Sequence, residues 1–280
     1  MKKVLIPSSV TYIGYNAFYG CSSLSELTIL SSSVSIGRYA FKECFSLKKV
    51  LINSAKVFFN VHFNGCNLLK KITIPYGVTS IISNAFDGCS SLTKVSIPSS
   101  VVKIDKLAFN ECISLRKITI PSSIKTIEDN LFSGCSSLMQ ITIPSSVTKI
   151  RNDVFKKCTS LTQIEIPSSV TILGKGVFSE CTSLSKITIP SSITAIGSEL
   201  FNKCLSLSQI TIPSSVTKIG NDVFKGCTSL AQVEIPSSVT IIGSGVFSGC
   251  SSLSKIAIHS PITAIGSDLF YKCSSLSQYI

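Results

Sequence analysis

The chain has 280 residues, of which 44% are hydrophobic and 14% are charged, and its formal net charge is +12. This composition is too apolar for an intrinsically disordered protein, which combines low hydrophobicity with high net charge. The longest apolar runs contain only a few residues, whereas a membrane-spanning helix needs about 20, so we expect no membrane span. A basic surface permits acidic partners but does not require them.

The N-terminal residues already follow a pattern that recurs along the chain. Met1 takes the Leu position of a Leu-x-x-Ile-x-Ile start, and the apolar run ends at Pro7. This run is too short for a secretory signal peptide, and the sequence contains no Asn-x-Ser/Thr glycosylation site. The same start recurs up to Ile280, so the sequence predicts thirteen strands.

The cysteines reveal the period of the repeat. A Phe precedes each Cys by three residues and a Leu follows it by three, as Phe132 and Leu138 do around Cys135. The interval between successive cysteines is constant, except that the interval from Cys44 to Cys66 is one residue shorter. This self-similarity is typical of a solenoid, in which each coil stacks on its neighbours.

Each unit predicts one strand and a set of turns. Ile141 and Ile143 point to one side and Thr142 to the other, which is strand periodicity, and the proline that follows ends the strand. Phe132 and Cys135 are three residues apart and share one face of a helical turn. The glycine of each Ile-Gly pair, such as Gly220, is expected to adopt a left-handed conformation. The serines after each proline are expected to bond turn backbone groups.

The sequence shows no candidate catalytic or metal site. No two cysteines lie close together in the sequence, unlike the Cys-x-x-Cys pairs of zinc sites, and the two histidines, His62 and His259, lie outside any repeated context. Stacked cysteines point in parallel, which is poor disulfide geometry, so we expect them to be reduced and buried as small hydrophobes. We predict no catalytic residues, no metal, no cofactor and no enzymatic activity.

The unit resembles a leucine-rich repeat. Leu-x-x-Ile-x-Ile-x-x-Ser fits the pattern Leu-x-x-Leu-x-Leu-x-x-Asn/Cys, with a serine such as Ser123 or Ser146 at the ninth position. The added Ile-Pro-Ser-Ser-Val-Thr-x-Ile-Gly…Phe-x-x-Cys closely resembles the BspA-like, or Treponema pallidum-type, leucine-rich-repeat family. The resemblance covers essentially the whole chain.

This resemblance implies an architecture and a role. It implies one leucine-rich-repeat domain over residues 1–280, with about twelve 23-residue repeats and an irregular coil at 44–66. The coils would form a curved right-handed stack with a parallel β-sheet on the concave face and short turns, helical turns or short strands on the convex face. Such proteins are often surface proteins in adhesion or in host and matrix binding.

The outward strand positions form the candidate binding site. They flank the inward Ile residues and should line the concave face, where solenoids usually bind their partners. Stacking would align them into a basic row in the first half of the chain; a merely solvated surface is the alternative. The residues of this row are Lys48, Lys49, Leu51, Lys70, Lys71, Lys94, Arg116 and Lys117.

The coil at 44–66 lacks the proline and is one residue short. Either Phe58 or Phe59 must take its buried Ile position, which leaves the other for the surface, and Tyr76 in the next turn adds apolar area. Phe58, Phe59 and Tyr76 are therefore a candidate apolar patch for partner binding. Sequence drift in a single coil is the alternative.

The sequence thus predicts non-enzymatic, adhesion-type recognition of a protein or an anionic glycan through the concave face. The alternative is an intracellular scaffold for protein partners. Nucleic acid is disfavoured because no aromatic residues interleave the basic row. The open strand edges at the ends of the stack indicate either a segment of a longer array or self-association through these ends. The resemblance favours the cell surface, whereas reduced cysteines and the lack of a signal peptide favour the cytoplasm.

Overall fold

A computed structural model describes residues 2–58, 61–259, 262 and 265–279. The chain divides into two compact units, Met1–Ile141 and Thr142–Ile280. Both consist of parallel strands that pair with the equivalent strand of the next coil, so the predicted solenoid is confirmed. Met1 and Ile280, the ends of the first and last predicted strands, lie outside the described residues. One domain over the whole chain stays a prediction.

The described residues form 22 short strands and one short helix. Up to the end of the first unit, the elements are β1 Lys3–Ile6, β2 Tyr12–Ile13, β3 Glu26–Ile29, β4 Ser35–Ile36, β5 Lys49–Ile52, α1 Ala55–Phe58, β6 Lys71–Thr73, β7 Ser80–Ile81, β8 Lys94–Ser96, β9 Lys103–Ile104, β10 Lys117–Thr119, β11 Thr126–Ile127 and β12 Gln140–Thr142. The second unit continues with β13 Lys149–Ile150, β14 Gln163–Glu165, β15 Ile172–Leu173, β16 Lys186–Thr188, β17 Ala195–Ile196, β18 Lys218–Ile219, β19 Gln232–Ile235, β20 Ile241–Ile242, β21 Lys255–Ile258 and β22 Gln278–Tyr279.

In each unit, one strand per coil belongs to a first ladder, made of β1, β3, β5, β6, β8, β10 and β12 and then of β14, β16, β19, β21 and β22. Within β1, Val4 and Ile6 are buried while Lys3 and Leu5 are exposed, as the alternating pattern predicts. Within each sheet the strands pair in parallel, one coil apart in register, so that Lys3 lies opposite Glu26, whereas β5 and β6, and β8 and β10, are in contact but belong to different sheets. Equivalent residues of successive coils therefore lie side by side.

The predicted strand at 207–212 is absent from this ladder. Ile210 and Ile212 are buried while Gln209 and Thr211 are exposed, so the side chains alternate as in the other coils. The backbone groups of these four residues nevertheless form no hydrogen bond with any described residue. The strand prediction is wrong at this coil, because a period of two specifies which side chains are buried and not whether the backbone pairs.

A second ladder of two-residue strands follows the proline turn of most coils. The turn is closed by the N–H of Val101, which donates to the C=O of Pro98 at 3.1 Å. The second serine of the turn donates to the preceding coil, as the hydroxyl of Ser100 does to the C=O of Val78 at 2.8 Å. The prediction that these serines bond turn backbone groups is confirmed.

The third side of each coil is a run of turns that leads to the cysteine. The N–H of Cys135 donates to the C=O of Phe132 at 3.1 Å, which brings the two predicted positions together. The run is not a continuous helix, because Asn130 and Gly134 adopt positive φ angles of 54° and 75°. A right-handed helix excludes such angles, so this side is built from successive turns.

The glycine of the Ile-Gly pair has a different role from the predicted one. Gly220 is not among the residues with a positive φ angle. A Cβ atom at this position would lie 2.6 Å from the backbone nitrogen of Ser198 in the preceding coil. The prediction of a left-handed conformation at Gly220 is wrong, and glycine is required there because two backbones approach too closely for a side chain.

Columns of equivalent side chains fill the core, and two of them consist of phenylalanine and cysteine beside the repeated leucine, isoleucine and valine residues. The rings of Phe86 and Phe109 stack with their centroids 5.4 Å apart and their planes 7° apart. Beside them, the thiol of Cys112 donates to the C=O of Phe86 in the preceding coil, with a sulfur–oxygen distance of 3.2 Å. Cysteine fits this position because it is a small hydrophobe with a weak donor. All twelve cysteines are free; ten are buried, Cys21 is exposed and Cys273 is half-buried.

The irregular coil at 44–66 fills its core in another way. Helix α1 replaces the proline turn and buries its last two residues, Val57 and Phe58. His62 is also buried, and its ring lies 5.1 Å from the ring of Tyr39. Larger side chains in this coil thus occupy the space that turn and strand residues fill elsewhere.

We expect Gly220→Ala to destabilise the protein by about 1–3 kcal/mol, because the added methyl group must displace the backbone of the preceding coil. Gly14→Ala is the matched control. Gly14 occupies the same repeat position, but the nearest atom to its added Cβ is 3.9 Å away, in the Tyr12 ring. Urea unfolding of both variants tests the account, and equal losses of stability would contradict it.

Candidate functional site

The first unit carries a cluster of cations on the exposed side of its first ladder, which we call the basic face. Lys71 on β6 lies directly opposite Lys94 on β8, and β10 lies next to β8. All members of the cluster are exposed, so the structure brings the predicted basic residues together on one surface. The basic face consists of Lys48, Lys49, Lys70, Lys71, Lys94, Arg116 and Lys117.

No carboxylate of a described residue lies within ion-pair distance of these seven cations. On β1 and β3, by contrast, a lysine does have a carboxylate partner: the ammonium group of Lys3 forms an ion pair with Glu26 at 3.1 Å. Glu26 also lies opposite Lys49 in the register of β3 and β5. Glu26 thus borders one end of the basic face, whereas Lys71 and Lys94 face each other directly, so the positive potential is strongest around β6 and β8.

Leu51, the apolar member of the predicted row, lies at one end of the basic face. It is 43% exposed and lies opposite Thr28 of β3. The equivalent outward positions on the next strands are Thr73 and Ser96, which lie opposite each other. Hydroxyl side chains, rather than further apolar ones, thus border the cations.

The structure corrects the predicted apolar patch. Phe58 is only 4% exposed and packs in the core, with its ring centroid 6.4 Å from that of Phe86. It contributes nothing to the surface, because α1 turns it inward. Phe59 lies outside the described residues. Tyr76 is 81% exposed, so among the described members it is the one at the surface.

The second unit has a groove that the sequence did not reveal. Its volume is about 600 Å³, and Gln209, Gln232, Glu234 and Lys255 line it beside the unpaired backbone of residues 209–212. His259 lies 3.2 Å from the carboxylate of Glu234. No signal could have identified this groove, because the sequence there keeps the ordinary repeat pattern.

An aromatic cluster on the turn side of the first unit also escaped the sequence analysis. The rings of Tyr15 and Tyr39 meet edge to face at 6.1 Å, and the guanidinium carbon of Arg38 lies 4.7 Å from the Tyr39 ring centroid. Arg38 and His62 also line a cavity of about 360 Å³. The sequence does contain a signal for this cluster, because tyrosine and arginine occupy repeat positions at which other coils have small or polar residues.

The buried thiols lie in an apolar environment that suppresses their reactivity. Burial raises the pKa of the Cys44 and Cys181 thiols to about 12, which keeps them protonated and unreactive. No group of three or more His, Cys, Asp or Glu residues in the described part of the chain is arranged to hold a metal ion. No helix among the described residues is long and apolar enough to cross a membrane.

The repeat defines the class of protein. The sequence matches the family described as BspA type leucine rich repeat region over residues 1–113, 56–171 and 148–277. The chain therefore belongs to the BspA-type leucine-rich-repeat family. No curated protein matches the sequence.

Solved structures share this fold. A leucine-rich repeat protein from Bacteroides ovatus ATCC 8483 is 30% identical, with a TM-score of 0.69 over 99% of this chain and 86% of that one. A leucine rich cell surface protein from Faecalibacterium prausnitzii A2-165 is 32% identical, with a TM-score of 0.60 over 92% of this chain and 79% of that one. The pneumococcal vaccine antigen PcpA, 20% identical with a TM-score of 0.66 over 99% and 77% of the two chains, shows similarity of fold alone.

We expect a thiol reagent at pH 8 to label Cys21 rapidly and Cys273 slowly in the native protein, because the other ten thiols are buried. Burial also raises the pKa of thiols such as those of Cys44 and Cys250, which keeps them in the unreactive thiol form. In denaturant, all twelve should react. A count well below twelve under denaturing conditions would mean that disulfides exist and that the thiol column is wrong.

Proposed function

We propose that this protein is a non-enzymatic recognition protein of the adhesion type, which binds an acidic protein or an anionic glycan through the basic face. The observation that carries the proposal is the register that places Lys71 opposite Lys94. Like charges directly opposite each other on paired strands destabilise a sheet. Lys71, Lys94 and the other five cations of the face form no ion pair with a described residue, which favours a role in binding.

The comparison with the second unit supports this reading. There, Lys186 lies opposite Gln163 and Lys255 lies opposite Gln232, so neutral residues separate the cations. The repeat therefore does not need lysine at this position. Placement at the cell surface follows the similar Faecalibacterium prausnitzii protein, which is described as a cell surface protein.

Reversing the charge of Lys49, Lys71, Lys94 and Lys117 to Glu should abolish salt-sensitive binding to immobilised acidic macromolecules, with heparin and poly-L-glutamate as probes. Juxtaposed like charges cost several kcal/mol, so we expect a loss of at least about tenfold, which is roughly 1.4 kcal/mol. Wild-type binding should weaken between 0.1 and 1 M salt, as the screening length falls from about 10 to about 3 Å. Surface plasmon resonance measures both effects.

The matched control reverses Lys56, Lys106, Lys149 and Lys218 to Glu. These lysines are exposed but lie outside the basic face, and the substitutions change the net charge equally. The control should bind within about threefold of wild type, since charges beyond a screening length act weakly. Equal losses in both variants, or no loss in either, would overturn the proposal.

A further inference from the structure

The basic face has the geometry of a regular array rather than of a single pocket. Lys49, Lys71, Lys94 and Lys117 occupy equivalent positions on four successive strands of the first ladder. β6 and β8 are hydrogen-bonded neighbours, about 4.8 Å apart, while β5 contacts β6 and β10 contacts β8. Lys48, Lys70 and Arg116 precede three of these lysines, while Thr93 stands before Lys94. A binding partner would therefore meet one cation on every strand and a second cation on three of the four.

A row of hydroxyl groups runs along the same face. Thr73, Ser96 and Thr119 are exposed two residues after the lysines of the same strands, on the same side of these strands. Thr73 lies opposite Ser96. Their hydroxyl groups form no hydrogen bond with any described residue, so both donors and acceptors are available to a ligand.

We infer that the ligand of the basic face is a sulfated polysaccharide that lies along the rows, across the strands; this inference rests on the proposed function of that face. A repeating linear polyanion matches a repeating linear array of cations, and its sugar hydroxyl groups match the hydroxyl row. Six of the seven cations are lysines, whose compact charge suits sulfate groups without the bidentate geometry of arginine.

Other acidic partners fit the face less well. Folded proteins are usually anchored by aromatic or other large side chains at the centre of the interface, and the centre of this face holds Thr73 and Ser96 instead. Single-stranded nucleic acid binds by stacking bases on aromatic rings, and the basic face and the hydroxyl row contain none. The single large apolar residue, Leu51, lies at the end of the array.

Heparin fragments of increasing length, fully desulfated heparin, poly-L-glutamate and oligo-deoxythymidine test the inference by calorimetry on the full chain. Affinity for heparin should rise with fragment length until the fragment spans the four strands, and then only weakly, as additional registers become available. Desulfated heparin, poly-L-glutamate and oligo-deoxythymidine should each bind at least tenfold more weakly. Equal or tighter binding of poly-L-glutamate would overturn the inference and leave the proposed function of the face intact, whereas equal or tighter binding of oligo-deoxythymidine would overturn both.

The hydroxyl row supplies a second readout. Thr73→Val, Ser96→Ala and Thr119→Val together keep every charge, and they should lower heparin affinity several-fold while leaving poly-L-glutamate binding unchanged. Loss of both ligands to the same extent, or of neither, would contradict a role of these hydroxyl groups in polysaccharide recognition. If the four lysine reversals also leave heparin binding unchanged, both the inference and the proposed function fail.

Discussion

The close stacking of one coil on the next is the constraint on which the structure depends. Each coil satisfies its backbone groups through its neighbours, as when the N–H of Glu111 donates to the C=O of Ser133 at 2.7 Å. A single coil is too short to enclose its own apolar side chains, so neighbouring coils must bury them. The spacing is tight enough to exclude a methyl group at Gly220, and it brings the phenylalanine rings into stacking contact.

The same stacking places each residue beside its own equivalent, with opposite consequences for apolar and charged side chains. Phenylalanine on phenylalanine stabilises the core, and a thiol on a carbonyl group satisfies a buried donor. Lysine on lysine destabilises the sheet. The first strands of the chain avoid this by placing Glu26 between Lys3 and Lys49, and the second unit uses glutamine. Lys71 and Lys94, on β6 and β8, face each other with neither a carboxylate nor a glutamine between them, which supports the binding role proposed for the basic face.

Much of this could be predicted from the sequence, because a strict repeat converts positions in the sequence into positions in space. The period of the cysteines and the alternation around Ile141 and Ile143 were sufficient for the coil, the ladder and the placement of the basic residues on one surface. The role of Gly220 could not be predicted, because a glycine required by close approach and one required by a left-handed φ angle look identical in sequence.

Two features of the candidate sites could not be predicted from the sequence. The lapse of backbone pairing at 209–212 leaves no trace in side-chain alternation, so the groove beside Gln209 could not be foreseen. The burial of Phe58 depends on helix α1, a local fold of the one coil that breaks the repeat. Where the repeat is regular, its symmetry allows the structure to be inferred from the sequence. Where the repeat is irregular, local packing determines which side chains are buried, and the sequence pattern does not reveal it.

The central claim is that Lys71 and Lys94 repel each other in the folded protein and are retained for binding. A double-mutant cycle with Lys71→Gln and Lys94→Gln, followed by urea unfolding at low salt, tests it most directly. Each single substitution should stabilise the protein by about 0.2–1 kcal/mol, and the second should add less than the first, because the repulsion has already been removed. This coupling should disappear at 1 M salt, where charges are screened within about 3 Å. Single substitutions that are neutral or destabilising, or that add independently at low salt, would contradict the account.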